Sequence, residues 1–216
     1  MKAFQYFVVI FFAILPLVIY PQDVKVGREI TTALMDNTYL SKLNFPKSVI
    51  RFYTDNYSGD SWTDSQQGLD QSEIALALLA RADHYGLLLS GYHLESLSFK
   101  KLKQWRDYPS EKNQKERALF DILLTDGLIT FINHLHFGKY NPLYNSSRID
   151  SSRTNGFCAD EILSAARLRA DFQGEIHNAQ PKIKAYRDLQ AYLDRYRAEN
   201  KATATKAVMD KIIMNM

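Results

Sequence analysis

Residues Asp70 to Gly86 read DQSEIALALLARADHYG, and this stretch decides the fold class. Asp70 with Glu73 three residues on has the form of a capping box, in which two side chains satisfy the first orphan amides of a helix. The interior Ile74, Ala75, Leu76, Ala77, Leu78, Leu79, Ala80 and Ala82 is apolar almost all round, which predicts a buried helix running to Tyr85. Gly86 then supplies the left-handed residue that ends it. Read alone, this is the central, most buried helix of the protein.

Further helices follow on either side. Asp23 to Asn37 places Val26, Ile30, Ala33 and Leu34 on one face, and Leu94 to Trp105 follows Gly91-Tyr92, with Lys100, Lys101 and Lys103 as a solvated face. Glu111 to His136 carries a stripe of Leu119, Ile122, Leu123, Ile129, Ile132 and Leu135 and would span roughly 39 Å. Gly138 closes it, and Asn141-Pro142 opens a long exposed loop reaching Asn155. Ala159 to Phe172 predicts another helix. Pro181 precedes an amphipathic one with Ile183, Tyr186, Leu189, Leu193 and Tyr196, and Val208, Ile212 and Ile213 mark a short last one. The stretch from Phe45 to Gly68, with Phe52, Tyr53 and Trp62, reads as an extended aromatic loop laid on the helical body. No period-2 alternation occurs, so the expected fold is all-α: a single helical bundle-like domain over residues 22–216, after an N-terminal signal or anchor helix.

That N-terminal segment is residues 1–21. Lys2 precedes an apolar run from Ala3 to Tyr20, the pattern of a secretory signal peptide. The small-x-small cleavage pattern is missing around Pro21, and about 18 apolar residues can just span a hydrocarbon core, so an uncleaved anchor is the rival reading. Either way the chain is expected to be exported: periplasmic, or anchored to the inner membrane and facing the periplasm. With 216 residues, 46% hydrophobic and 24% charged, there is enough chain for one substantial core. The net charge of +3, with both signs interleaved, does not imply a nucleic-acid partner. Cys158 is the single cysteine, so no intramolecular disulfide is available.

Three constellations invite a chemical reading. Cys158 lies just ahead of a helix, where the dipole lowers a thiol's pKa, but its Phe157 and Ala159 neighbours fit a packed side chain better. His134 and His136, with His177 or Asp126, have the residue types of a small metal-dependent hydrolase. On a helix, positions two apart point about 200° from each other, so the two imidazoles meet one ion only where the helix frays. Asp121 and Asp126 are displaced by about 140° around the same axis and do not share one substrate; each is read as a carboxylate that caps or bonds a neighbouring element. No catalytic residue, metal or cofactor is assigned, and an enzymatic role is left open with the balance against it.

The order of motifs carries a resemblance. Phe52-Tyr53, Trp62, Ala82 to Leu87 with His84 and Gly86, Tyr92, Asp121, Leu124-Thr125-Asp126, Phe137-Gly138-Lys139, Asn141-Pro142, and Pro181 with Tyr186, Leu189 and Tyr196 together resemble the scaffold domain of bacterial L,D-transpeptidases over about residues 45–200. The resemblance implies structural roles for Tyr53, Trp62, His84, Gly86, Leu87, Tyr92, Asp121, Asp126, Gly138, Pro142, Pro181 and Tyr186. It implies the periplasm, and peptidoglycan or a cell-wall enzyme as partner, with the membrane met only through an uncleaved N-terminal segment. The family's catalytic part is marked by a His-Gly pair and a Ser-x-Gly-Cys-Val/Ile-Arg motif, neither of which occurs here; Cys158 is followed by Ala159-Asp160. The implied role is therefore a non-catalytic exported scaffold linked to peptidoglycan cross-linking or remodelling, or a fragment of a split transpeptidase.

Overall fold

The computed structural model describes residues 24–55, 62–108, 113–152, 156–199, 208–209 and 211–212. The signal or anchor segment, residues 1–21, lies outside them, as does the middle of the expected aromatic loop, residues 56–61. Among the described residues the fold is entirely helical. The elements are α1 (Val24–Leu34), α2 (Asn37–Leu40), α3 (Pro46–Asp55), α4 (Gln66–Ala80), a 3-10 turn (Ala82–Tyr85), α5 (Phe99–Asp107), α6 (Gln114–Phe137), α7 (Ser146–Ser151), α8 (Ala159–Arg167), α9 (Phe172–His177) and α10 (Lys184–Glu199).

The central helix is α6, not the one containing Asp70. Helices α1, α3, α4 and α8 all pack on α6, and side chains on every side of it are buried, from Phe120 through Leu124, Leu128 and Ile132 to Leu135. It is long and apolar enough to cross a membrane, yet 89% of its apolar window is buried by the surrounding protein. Helix α4, by contrast, leaves Ile74, Ala77 and Ala80 exposed. Its apolar run is wider than the face it buries, and alanine costs little when left in water. Leu119 and Ile183, expected in core stripes, are also exposed, by 40% and 64%.

Helix α4 begins earlier than Asp70. Ser65 is its N-cap, accepting the Gly68 amide at 3.0 Å. Asp70 and Glu73 lie one turn inside and together clamp Arg106 of α5, at 2.8 and 3.1 Å. The helix also stops sooner, at Ala80. The 3-10 turn that follows ends at Gly86, whose φ of 73° allows the Leu87 amide to reach the Ala82 carbonyl at 3.2 Å and the Gly86 amide to reach Asp83. That is a Schellman closure, and buried Leu87 is its hydrophobic follower.

Pro46 to Asp55 forms a helix where an extended aromatic loop was expected. Pro46 suits the first helical position, because the amide it lacks would be an orphan there. Val49 and Phe52 then fall on one buried face. Two other expectations are corrected similarly: the loop after Asn141 contains α7, and the stretch from Ala159 to Phe172 breaks at Leu168 so that Asp171 caps a separate helix, α9, through the Gly174 amide.

Candidate functional site

Two groups of residues project from α6. The first runs along its body. The Asp121 carboxylate accepts the Trp62 amide at 3.1 Å. One turn on, the Thr125 hydroxyl meets both the Trp62 indole Nε1 and the Tyr53 hydroxyl at 2.9 Å. Trp62 is fully buried, stacked on Phe52 with the Arg167 guanidinium 4.3 Å from its ring centroid. Asp126, also fully buried, accepts the amides of Asn44 and Phe45 at 2.9 Å each, the Asn44 side chain at 3.2 Å and His93 Nε2 at 2.6 Å. The two aspartates thus bond to different segments, consistent with the angle between them on the helix. His93 holds a positive φ of 56°, a conformation uncommon for a side chain of its size. This group fastens the chain entering α3 and the chain entering α4 to the central helix.

The second group surrounds the C-terminal end of α6, where a cleft of about 390 Å³ opens. Gly138, with φ of 79°, turns the chain out of the helix. Gly86, Leu87, Gly138, Pro142, Pro181 and Tyr186 all line this cleft, although they come from four separate stretches of sequence. Tyr186 is brought in by α10: its hydroxyl reaches the Tyr85 carbonyl at 3.4 Å and the Gln180 side chain at 3.3 Å, and burial pushes its phenol up to about 12. Tyr92 lies beneath, its hydroxyl 3.0 Å from His134 Nδ1. His84 belongs to neither group. It meets Asp194 at the surface, where it helps tie α10 to the 3-10 turn.

His134 and His136 both line this cleft, and His136 also borders a second one. Burial, and after it the Lys139 charge, push His134 down to about 4, so its ring is neutral. His136 stacks flat on Phe157 with centroids 3.7 Å apart and faces a neighbouring cleft of about 510 Å³ floored by Phe157 and Ala179. His177 meets the Tyr85 hydroxyl at 2.6 Å. Among the described residues no group of three His, Cys, Asp or Glu side chains is placed to hold a metal ion, so the hydrolase constellation of His134, His136 and an acidic residue is not assembled. Cys158 is half-buried at the N-cap of α8.

The sequence reading missed the Tyr92 to His134 contact and the role of His93. The partners lie 42 and 33 residues apart, and no local pattern announces either pair. What was visible was a conspicuous residue on each side: an aromatic after Gly91, and a polar side chain in an otherwise apolar helix.

The family model described as Scaffold domain matches residues 47–193, well over half of the 216-residue chain, and the chain belongs to that family. The match begins in α3 and ends in α10, so it encloses α4 to α9 and the cleft at the end of α6. No curated protein and no solved structure matches the chain.

Proposed function

We propose that this protein is a non-catalytic, exported scaffold that serves peptidoglycan cross-linking or remodelling, by holding a cell-wall strand or a cross-linking enzyme. Membership of the Scaffold domain family supports the scaffold role. The link to the cell wall rests on the resemblance to L,D-transpeptidases, and export rests on the apolar N-terminal run. One observation carries the binding role: six of the twelve residues singled out by the resemblance converge on a single open cleft. Residues needed only to build a helical body would be distributed through the core, as Tyr53, Trp62, Asp121 and Asp126 are. A surface cleft lined from four stretches of chain is a place where something else binds.

Sedimentation of the full chain with purified peptidoglycan sacculi, together with affinity purification from the cell envelope, tests this reading. The expected result is co-sedimentation, or recovery of an enzyme bearing a Ser-x-Gly-Cys motif, which a split transpeptidase would also give. Recovery of neither rejects the cell-wall assignment. A fusion of residues 1–40 to a reporter active only outside the cytoplasm tests export separately, and an inactive fusion would reject it.

A further inference from the structure

The cleft at the end of α6 has a chemical bias that a scaffold role does not require. Its lining contains a lysine, and neither an aspartate nor a glutamate. The Lys139 ammonium donates to the Ser90 carbonyl at 3.0 Å and the Ser90 hydroxyl at 3.3 Å, both neutral acceptors. Burial pushes this lysine down from its ordinary value. Such a cation has lost part of its water without gaining a carboxylate partner, and an incoming anion would supply one.

A second donor stands beside it. Tyr92 is fully buried and burial pushes its phenol up, so the hydroxyl keeps its proton and is best satisfied by donating it. The acceptor within reach is His134 Nδ1 at 3.0 Å. In the neutral imidazole this places the hydrogen on Nε2, the ring nitrogen that Tyr92 does not engage, on a side chain that lines the cleft. The two donors are close enough that the Lys139 charge acts on the His134 ring.

The end of a helix ordinarily repels an anion through its unsatisfied carbonyls. Here the Gly138 amide satisfies the His134 carbonyl at 3.0 Å and the Asn141 side chain satisfies Phe137 at 2.8 Å, which weakens that repulsion. Around these donors the cleft is rimmed by Leu88, Tyr140 and Leu143, exposed by 36%, 71% and 68%. One positive charge without an arginine fork suits a monoanion better than a phosphate dianion. An apolar rim suits side chains attached to that anion.

We infer that this cleft receives the free carboxy-terminal end of a short peptide, with its carboxylate on Lys139 Nζ and His134 Nε2–H and its last side chains against Leu88, Tyr140 and Leu143. The volume of about 390 Å³ is within the range of pockets that hold small ligands. The inference stands on the cleft alone, so failure of the sacculus experiment would leave it intact.

The test uses the full chain in mild detergent and pooled N-acetylated tripeptides built from Ala, Leu, Lys and Tyr, each as free acid and as amide. Calorimetry should show binding of free acids, with amides weaker by about tenfold or more, the loss of one charge-assisted contact. Lys139→Gln should bring the acids to the affinity of the amides, while Lys103→Gln on α5 leaves them unchanged. In wild-type protein the 15N resonance of His134 Nε2 should shift with the acids alone. No binding by any free acid, equal binding of acids and amides, or equal competition by inorganic phosphate would each overturn the inference.

Discussion

The Asp126 carboxylate and the Phe45 amide are 81 residues apart in the chain and 2.9 Å apart in the fold. With the Asn44 amide and His93 Nε2 on the other oxygen, this fully buried carboxylate anchors the entry to α3. Replacing Asp126 by Ala strands these donors in the core. The expected cost is about 3–5 kcal/mol of unfolding free energy, read by urea denaturation at neutral pH. Amide exchange at Phe45 should accelerate more than at Leu128 on α6. A loss below about 1 kcal/mol would show that the segment is held by something else.

Gly127→Ala tests the packing one residue further on. Alanine is the better helix former by about 1 kcal/mol. At this position its Cβ would meet the Tyr92 carbonyl oxygen at 3.0 Å and Leu79 Cδ1 at 3.1 Å. Leu79 can shift, but the Tyr92 backbone is pinned by a buried ring packed on Phe131 and His134. Overpacking of this kind costs about 1–3 kcal/mol and should outweigh the propensity gain. The variant is expected to melt below the wild type; a higher melting temperature would mean that the segment carrying Tyr92 yields.

The helical class was legible because apolar residues recur at helical spacing from α1 to α10, and the end of the 3-10 turn was legible in His84-Tyr85-Gly86-Leu87. Helix α3 was not. Its entry and first turn are held by the carboxylates of Asp126 and Asp150, 81 and 103 residues away, and Phe52, Tyr53 and Trp62 look alike whether a helix or a loop buries them. The rank of α4 and α6 was inverted because α4 is alanine-rich. Density of apolar letters does not measure burial, whereas the polar residues of α6, Asp121, Thr125, Asp126 and Thr130, are themselves buried through bonds to other elements. The same limit applies to the cleft. Its residues were individually visible, and only the return of α10 onto the 3-10 turn brings Tyr186 and Pro181 against Gly86 and Gly138.

Asp150 offers a direct measure of one such distant cap. Its carboxylate accepts the Lys47 amide at 3.0 Å and the Ser48 amide and hydroxyl at 2.8 Å each. Asp150→Ala should cost about 1–2 kcal/mol, as loss of a helix cap does. Asp150→Asn, which keeps an acceptor, should recover part of it. Equal losses in both variants would show that the negative charge matters and the geometry does not.

The neutral His134 ring makes stability depend on pH in a stated direction. Its folded value of about 4 lies below the ordinary 6.5 through burial and then the nearby Lys139 charge. Between those two pH values the unfolded chain takes up a proton that the folded protein refuses, so stability rises with pH across that window and is fully present above it. Below the window the accumulated loss is about 3 kcal/mol. His136 and His177 are also lowered by burial and push in the same direction, so the wild-type curve alone does not isolate His134. The difference between wild type and His134→Gln does: glutamine keeps an acceptor for Tyr92 and has no proton to bind. The variant is expected to be less sensitive to acid between pH 6.5 and 4 in urea unfolding series. Parallel curves for the two proteins would mean that His134 takes up its proton in the fold as readily as in the unfolded chain, and that burial does not keep the ring neutral.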